Sequence, residues 1–447
     1  MKASDGSRGV ASPLGFVRRH SMYLALLVLL FVVYQFPIMS FSLKITLQEG
    51  TAPVVASSTA NHQWWESYVD QIAQPFQPWN GTEWCKIDTL QSARIEMRAH
   101  DSYGINQPEA SRMEGFMLGK VHKAASTTSA SVTLRIAYRV AQRRLSNPNA
   151  SQTLRISPYI QPMCHAHFFH DFTTLSYHSR RNPAKSFLWS TVRLPDARSE
   201  SAFYYYVRPT LYGEDDMHLK FLAYSRGHQV RLLRRRSRSL FEYGGNLWKD
   251  KASFDNKTDS SMGVPSNAMI QNNPDKLAFQ HIQKEILAFY DFIAVTERWM
   301  ESMAVLKLLL PELQYSDLIV LRVKESGGYV AVHQGCKFLS KPPSRPPPVI
   351  EAYLNGPFRE TNPDYLLYAA VNRSLDLTIE TLGRQRVDDG VRQIQYLQAL
   401  AQEKCQNEIV GACTETGQLR PPSERNCYVK DFGCGHRCVD RVLPDDV

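Results

Sequence analysis

The stretch Gly119–Thr128, Gly-Lys-Val-His-Lys-Ala-Ala-Ser-Thr-Thr, constrains this chain more than any other. The apolar segment Phe116-Met117-Leu118 precedes it and is short enough for a buried strand. Ser129–Arg143 follows, with Val132, Ile136, Ala137 and Val140 at helical spacing. A strand that passes through a polar loop into a helix start is a geometry for holding an anion. The first amides of a helix point at the ligand, and the helix dipole favours negative charge. Lys123 adds a point charge inside the loop, and Ser126, Thr127 and Thr128 add hydroxyl donors. The phosphate loop of NTPases is excluded, because that pattern needs two glycines and a Gly-Lys-Ser/Thr end. Here Ala124 and Ala125 fill the tip.

By itself, a lysine with three hydroxyls also fits a helix that is merely capped. A second stretch narrows the choice. Ser186–Val192 reads as a buried strand and ends in Arg193-Leu-Pro-Asp-Ala-Arg198-Ser-Glu-Ser201-Ala-Phe203. An arginine at a strand end and a serine on the next helix can clamp one phosphate through charge-assisted hydrogen bonds.

Together the two stretches resemble Golgi carbohydrate sulfotransferases. In that family a His-Lys-x-x-Ser-Ser/Thr-Thr run follows the first strand and binds the 5′-phosphosulfate. An Arg-Asp/Glu-Pro-x-x-Arg-x-x-Ser-x-Phe/Tyr element binds the 3′-phosphate. Arg193, Pro195, Arg198, Ser201 and Phe203 fall in register with the second element, and Leu194 departs from its carboxylate. Val295–Leu309 and Asp364–Asn372 are similar to later segments of galactose-3-O- and uronyl 2-O-sulfotransferases. The resemblance covers roughly Gly115–Asn372. It implies a P-loop-like α/β sulfotransferase fold, with a central parallel sheet flanked by helices behind an N-terminal transmembrane helix.

It further implies sulfuryl transfer from 3′-phosphoadenosine 5′-phosphosulfate to a galactose or uronic acid hydroxyl, with no metal required. His122, Lys123, Ala124, Ala125, Ser126, Thr127 and Thr128 would surround the 5′-phosphate, with Lys123 stabilising the leaving group. Arg193, Arg198 and Ser201 would hold the 3′-phosphate. A histidine suits the base for the acceptor hydroxyl near neutral pH. His165 and His167, in Cys-His-Ala-His-Phe-Phe-His170, resemble the His-Gly-His segment of the uronyl enzymes, with His167 the first choice and His122 a further candidate. A metal site from His165, His167 and His170 is the competing use of this segment.

The rest of the chain points to the secretory pathway. Ser21–Leu43 carries no charged residue and is long enough to cross the ~30 Å hydrocarbon core. Arg18 and Arg19 before it keep residues 1–20 cytoplasmic by the positive-inside bias. A single-pass type II protein of the Golgi membrane is therefore expected, with a stem over 44–85, a lumenal catalytic domain over 86–404 and a cysteine-rich tail over 405–447. A cleaved signal peptide is the alternative. The eight cysteines suggest disulfides in an oxidising compartment, with a zinc site at Cys434, His436 and Cys438 the alternative for the tail. Asn80, Asn149, Asn256 and Asn372 each open an Asn-x-Ser/Thr sequence.

Alternating strand and helix patterns argue for a parallel sheet. Helices are expected over Lys276–Tyr290, Trp299–Leu310, Tyr365–Leu382 and Val391–Gln406, and strands over Phe292–Val295 and Asp317–Val323. The net charge of +9 and the run Arg231–Arg238 suit an anionic glycan, whether on a glycolipid, a glycoprotein or a polysaccharide. The compartment disfavours nucleic acid. Two rivals stand beside this reading. One is a metal-dependent lumenal glycosyltransferase using Glu214-Asp215-Asp216, and the other is a non-enzymatic glycan-binding membrane protein.

Overall fold

The computed structural model describes residues 64–88, 113–146, 163–169, 181–206, 215–226, 228–233, 274–321, 328–332, 335–339, 345–421, 424 and 434–443. The strands β1 (Ile87–Asp88), β2 (Met113–Gly119), β3 (Met163–Cys164), β4 (Ala166–Phe169), β5 (Arg181–Val192) and β6 (Phe292–Val295) follow one another along the chain. Of these, β4, β2, β5 and β6 lie side by side in that order, all parallel, while β1 pairs antiparallel with β3. Every residue of β5 from Ser186 to Val192 is buried, as a parallel strand covered on both faces must be. In register across β2 and β5, Phe116 stacks on Phe187 with ring centroids 5.5 Å apart. Gly115 sits at φ +113°, and a Cβ there would lie 2.4 Å from the His165 carbonyl oxygen, so only glycine lets β2 and β4 close.

Around the sheet run α1 (Glu66–Ile72), α2 (Ser126–Ser146), α3 (Pro195–Tyr206), α4 (Asp215–Ser225), α5 (His228–Leu233), α6 (Pro274–His281), α7 (Trp299–Leu309), α8 (Pro348–Tyr353), α9 (Asp364–Leu382), α10 (Arg384–Cys405) and α11 (His436–Val442). The helix expected from Ser129 begins three residues earlier, at Ser126. Val132, Ile136, Ala137 and Val140 are buried along it, as their spacing predicts. Its hydroxyls do not disturb it, because Ser131 and Thr133 donate back to the carbonyls of Thr127 and Ser129. Thr133 Oγ1 also accepts the indole N–H of Trp189, which joins α2 to the sheet.

The fold expectation needs correction. The described residues form a mixed α/β fold around a small parallel sheet, and nothing beyond that ties it to a sulfotransferase fold. Among them no helix is long and apolar enough to cross a membrane. Residues 21–43, where the span was expected, lie outside the described residues. The described part of Asp317–Val323, residues 317–321, forms no strand. Tyr315–Leu318 is a 3-10 turn closed by a capping box between Gln314 and Asp317, and Ile319, Val320 and Leu321 are buried without a ladder partner. Lys276–Tyr290 is likewise two pieces, α6 and a π-helical turn over Ile282–Leu287. By contrast α10 starts at Arg384, earlier than its apolar pattern signals.

The expected stem also shortens. Ile72, Phe76 and Trp84 are buried in the main core, each burial worth roughly 1.5–3 kcal/mol, and Cys85 is bonded to Cys164. The folded unit therefore begins well before residue 86. At the other end, Cys336–Cys413 fastens the hairpin of β7 (Gly328–Val332) and β8 (Gly335–Leu339) to the tail, and Cys405–Cys438 fastens α11 to α10. The tail is packed as well as stapled, since Cys434, Val439 and Leu443 are buried. Both Cys434 and Cys438 are disulfide-bonded, so neither offers zinc a thiolate.

Of the four Asn-x-Ser/Thr sequences, Asn149 and Asn256 lie outside the described residues. Asn80 is exposed in an irregular segment. Asn372 lies inside α9, its Oδ1 accepts from Arg298 Nη1 at 2.8 Å, and Ser374 is buried. A glycan needs an open surface. When the chain is secreted from animal cells, Asn80→Gln is expected to remove one glycan, seen as an electrophoretic shift. Asn372→Gln should leave mobility unchanged.

Candidate anion site at the C-terminal edge of the sheet

Gly119 ends β2, and a Cβ there would lie 2.7 Å from the buried Tyr290 hydroxyl oxygen. The chain then turns through Lys120–Ala125 into α2. Val121 and Ala124 are buried and anchor the turn. Lys123 and Ala125 adopt φ +66° and +53°, with Ala124 between them on the ordinary side. The turn closes on itself, since the Ala124 amide donates to the Val121 carbonyl at 3.2 Å, which leaves the amides that open α2 as its anion-facing donors. A non-glycine residue at such a positive φ costs on the order of 1–3 kcal/mol and persists only where its surroundings hold it. Here they do. The Lys123 carbonyl accepts from Arg193 Nη1 at 3.1 Å, the Ala124 carbonyl from Thr191 Oγ1 at 2.5 Å, and the Ala125 carbonyl from the Ser129 amide at 2.9 Å. The amides of Ser126, Thr127 and Thr128 open α2, and the first amides of a helix have no partner within it. Ser126 and Thr127 are half-buried and Thr128 is exposed.

Lys123 is half-buried, and its Nζ lies 4.0 Å from the centre of the Tyr205 ring on α3. This cation–π contact holds the ammonium beside the turn at about 0.5–1 kcal/mol. Arg193 follows the last residue of β5. Its backbone amide donates to Gln229 Oε1 at 2.9 Å, and its carbonyl accepts from Gln229 Nε2 at 2.8 Å. Its Nε is 3.9 Å from Glu297 Oε1, just past the end of β6. Burial pushes the Arg193 guanidinium below the usual arginine range, while Glu297 and Asp196 pull it back. Glu297 Oε1 also accepts the Leu194 amide at 3.1 Å, so the carboxylate lacking at position 194 has a counterpart from the neighbouring strand. Burial, reinforced by Glu297, pushes the Tyr368 phenol up to about 12.

Not every expected residue joins this group. Arg198 is buried, and its Nη2 donates to Ser199 Oγ at 2.9 Å and the Ser225 carbonyl at 3.3 Å, within the packing of α3 on α4. Ser201 is half-buried on α3. His122 is half-buried in the turn itself, next to Lys123. His165 lies at the opposite end of the sheet. Its carbonyl accepts the Phe116 amide, which sets it beside Gly115, four positions before Gly119. At about 3.3 Å per residue that is roughly 13 Å along the strand. His167 pairs with Met117, two positions before the end of β2. His170, Glu214 and Arg234–Arg238 lie outside the described residues, while Asp215 and Asp216 open α4. Among the described residues no group of His, Cys, Asp and Glu is arranged to hold a metal ion.

No family profile, characterised protein or solved structure matches this chain. Its chemistry therefore rests on the residues themselves. The arrangement can bind an anion at the turn and hold an arginine beside it. Sequence reading missed Tyr205, Gln229, Glu297 and Tyr368. Signals were available for Glu297 and Tyr368, which lie within the Val295–Leu309 and Asp364–Asn372 segments that the resemblance already covered.

Proposed function

We propose that this chain transfers a sulfuryl group from 3′-phosphoadenosine 5′-phosphosulfate to a glycan hydroxyl on the lumenal side of the secretory pathway. The observation that carries the reading is the hydrogen bond from Arg193 Nη1 to the Lys123 carbonyl. It joins two phosphate-type motifs, 70 residues apart, into one edge of one sheet. The residues present fit a donor with two phosphate groups. The start of α2 with Lys123 beside it suits one, and the Arg193 guanidinium suits another. The disulfides are consistent with a secreted or lumenal protein.

The donor supplies an activated sulfuryl group on a phosphate leaving group. What the chain must add is position and charge. Lys123 sets a positive charge where negative charge collects on the leaving oxygen. Ser126, Thr127 and Thr128 hold that phosphate through hydroxyls and amides. The acceptor hydroxyl needs a base within hydrogen-bond reach. By position at this edge His122 comes before His167, and His165 is too far along the strand. A galactose or uronic acid residue is the acceptor class.

Calorimetry with 3′-phosphoadenosine 5′-phosphate tests the reading. The native chain is expected to bind in the micromolar range, and Arg193→Ala to weaken binding more than tenfold, about 1.4 kcal/mol. Lys123→Ala should weaken it too. If well-folded native protein binds no nucleotide, the reading is wrong.

A further inference from the structure

We infer that Gln229 is a positioning residue for Arg193, backed by Asp364, and that the pair sets how strictly the site demands a second phosphate on its nucleotide. The inference rests on the reading that Arg193 holds a phosphate.

Arg193 stands one residue beyond the sheet. The β5–β6 ladder ends at Val192 and Val295, so the Arg193 amide and carbonyl have no strand to pair with. Gln229 fills that place. Its side-chain amide, with the residue 0 % exposed, accepts from the Arg193 N–H and donates to the Arg193 carbonyl. One side chain thus does what a neighbouring strand would do and fixes the backbone from which the guanidinium projects.

Gln229 is itself fixed. It lies in the first turn of α5, and Asp364, also 0 % exposed, accepts the Gln229 amide at 3.1 Å and the Val230 amide at 2.9 Å. The Asp364 amide in turn donates to Asn362 Oδ1 at 3.1 Å. The start of α9, the start of α5 and the end of β5 therefore form one chain of buried hydrogen bonds. Its outcome is the placement of Arg193, whose side chain stays about one third exposed. A bidentate, charge-assisted contact is strong only when the fork is held in the right geometry. A looser Arg193 backbone would therefore show first in the contact that most needs a fixed fork.

A merely structural Gln229 would change stability and leave ligand preference alone, so preference is the readout. The full chain, its Gln229→Leu and Gln229→Glu variants, Arg193→Ala and the Gln229→Leu/Arg193→Ala double variant are titrated with adenosine 3′,5′-bisphosphate and with adenosine 5′-monophosphate. The native chain is expected to prefer the bisphosphate. In Gln229→Leu that preference should fall at least tenfold, while monophosphate affinity stays within about threefold. Adding Gln229→Leu to Arg193→Ala should cost no further preference, since the first acts through the second. Gln229→Glu keeps the size and the acceptor but loses the donor to the Arg193 carbonyl. It covers the case in which the leucine variant does not fold, and it too should lose preference. A native preference that survives in either folded Gln229 variant overturns this inference alone. A native chain that binds neither nucleotide, or both equally, overturns the sulfuryl-transfer reading and this inference with it.

Discussion

Replacing Asp440 by alanine is expected to destabilise the fold by about 3 kcal/mol. Arg135, Arg139 and Arg143 recur every four residues on α2, so they line one stripe of the helix. Against that stripe stand Asp317 and Asp440. Arg143 reaches both oxygens of Asp317 at 2.7 Å, and Arg139 Nε lies 3.6 Å from Asp317 Oδ1. Arg135 Nη1 lies 2.8 Å from Asp440 Oδ1, with the Arg135 side chain only 1 % exposed. Burial pushes the Arg135 guanidinium below its usual range, and Asp440 is the main influence restoring it. Removing one partner of a buried pair costs about 3–5 kcal/mol, because the other charge is left without compensation. The lower end applies, since Asp317 stays nearby and Arg135 Nε keeps its bond to the Ser316 carbonyl at 3.2 Å. The shift in guanidinium midpoint measures this. Adding Arg135→Met should recover much of the loss, because the uncompensated charge goes too. A loss within about 0.5 kcal/mol, as for an ordinary surface change, would show that the pair is not buried in solution.

This pair also explains why the cysteine-rich tail cannot be read as an appendage. Cys405–Cys438 holds α11 against α10, and α11 carries Asp440 to α2. The helix that opens with the anion turn is thus clamped further along by the last described helix. No local pattern announces this. Apolar spacing located α2, but nothing near Asp440 in the chain names Arg135, which lies far earlier in the sequence.

The same division runs through the site. Lys123 and Arg193 were legible because each sits in a local pattern of strand, polar turn and helix whose chemistry is written in adjacent residues. That the two would touch was not, for it depends on the register that pairs Gly119 with Ser190. Arg198 misled for a related reason. Its spacing in the motif is right, but the α3 face it occupies packs on α4, where Ser199 and Ser225 take up its guanidinium. Gln229 carried no signal at all, since one glutamine between Arg-rich segments has neither period nor motif. The described residues 317–321 show the limit of apolar runs. Burial of Ile319, Val320 and Leu321 was correctly signalled, but hydrophobicity says nothing about whether a ladder partner exists.

Lys123→Gly is expected to separate stability from activity. Lys123 occupies φ +66°, where glycine carries no steric cost and a lysine does. Glycine should relieve on the order of 1 kcal/mol of that strain. Against this, the contact with the Tyr205 ring is lost, at about 0.5–1 kcal/mol, and the unfolded chain becomes freer by a similar amount. The terms leave a net loss of at most about 1 kcal/mol, so the denaturation midpoint should fall only slightly. Under the proposed function, sulfuryl transfer should nevertheless fall by about 10²–10³, the usual effect of removing one group that stabilises transition-state charge. Lys123→Ala should lose as much activity; it keeps the strain but spares the unfolded-chain term, so the two midpoints should lie close together. A glycine variant that folds like the native chain and still transfers at the native rate would remove Lys123 from the chemistry. The anion turn would then be a capped helix start and nothing more.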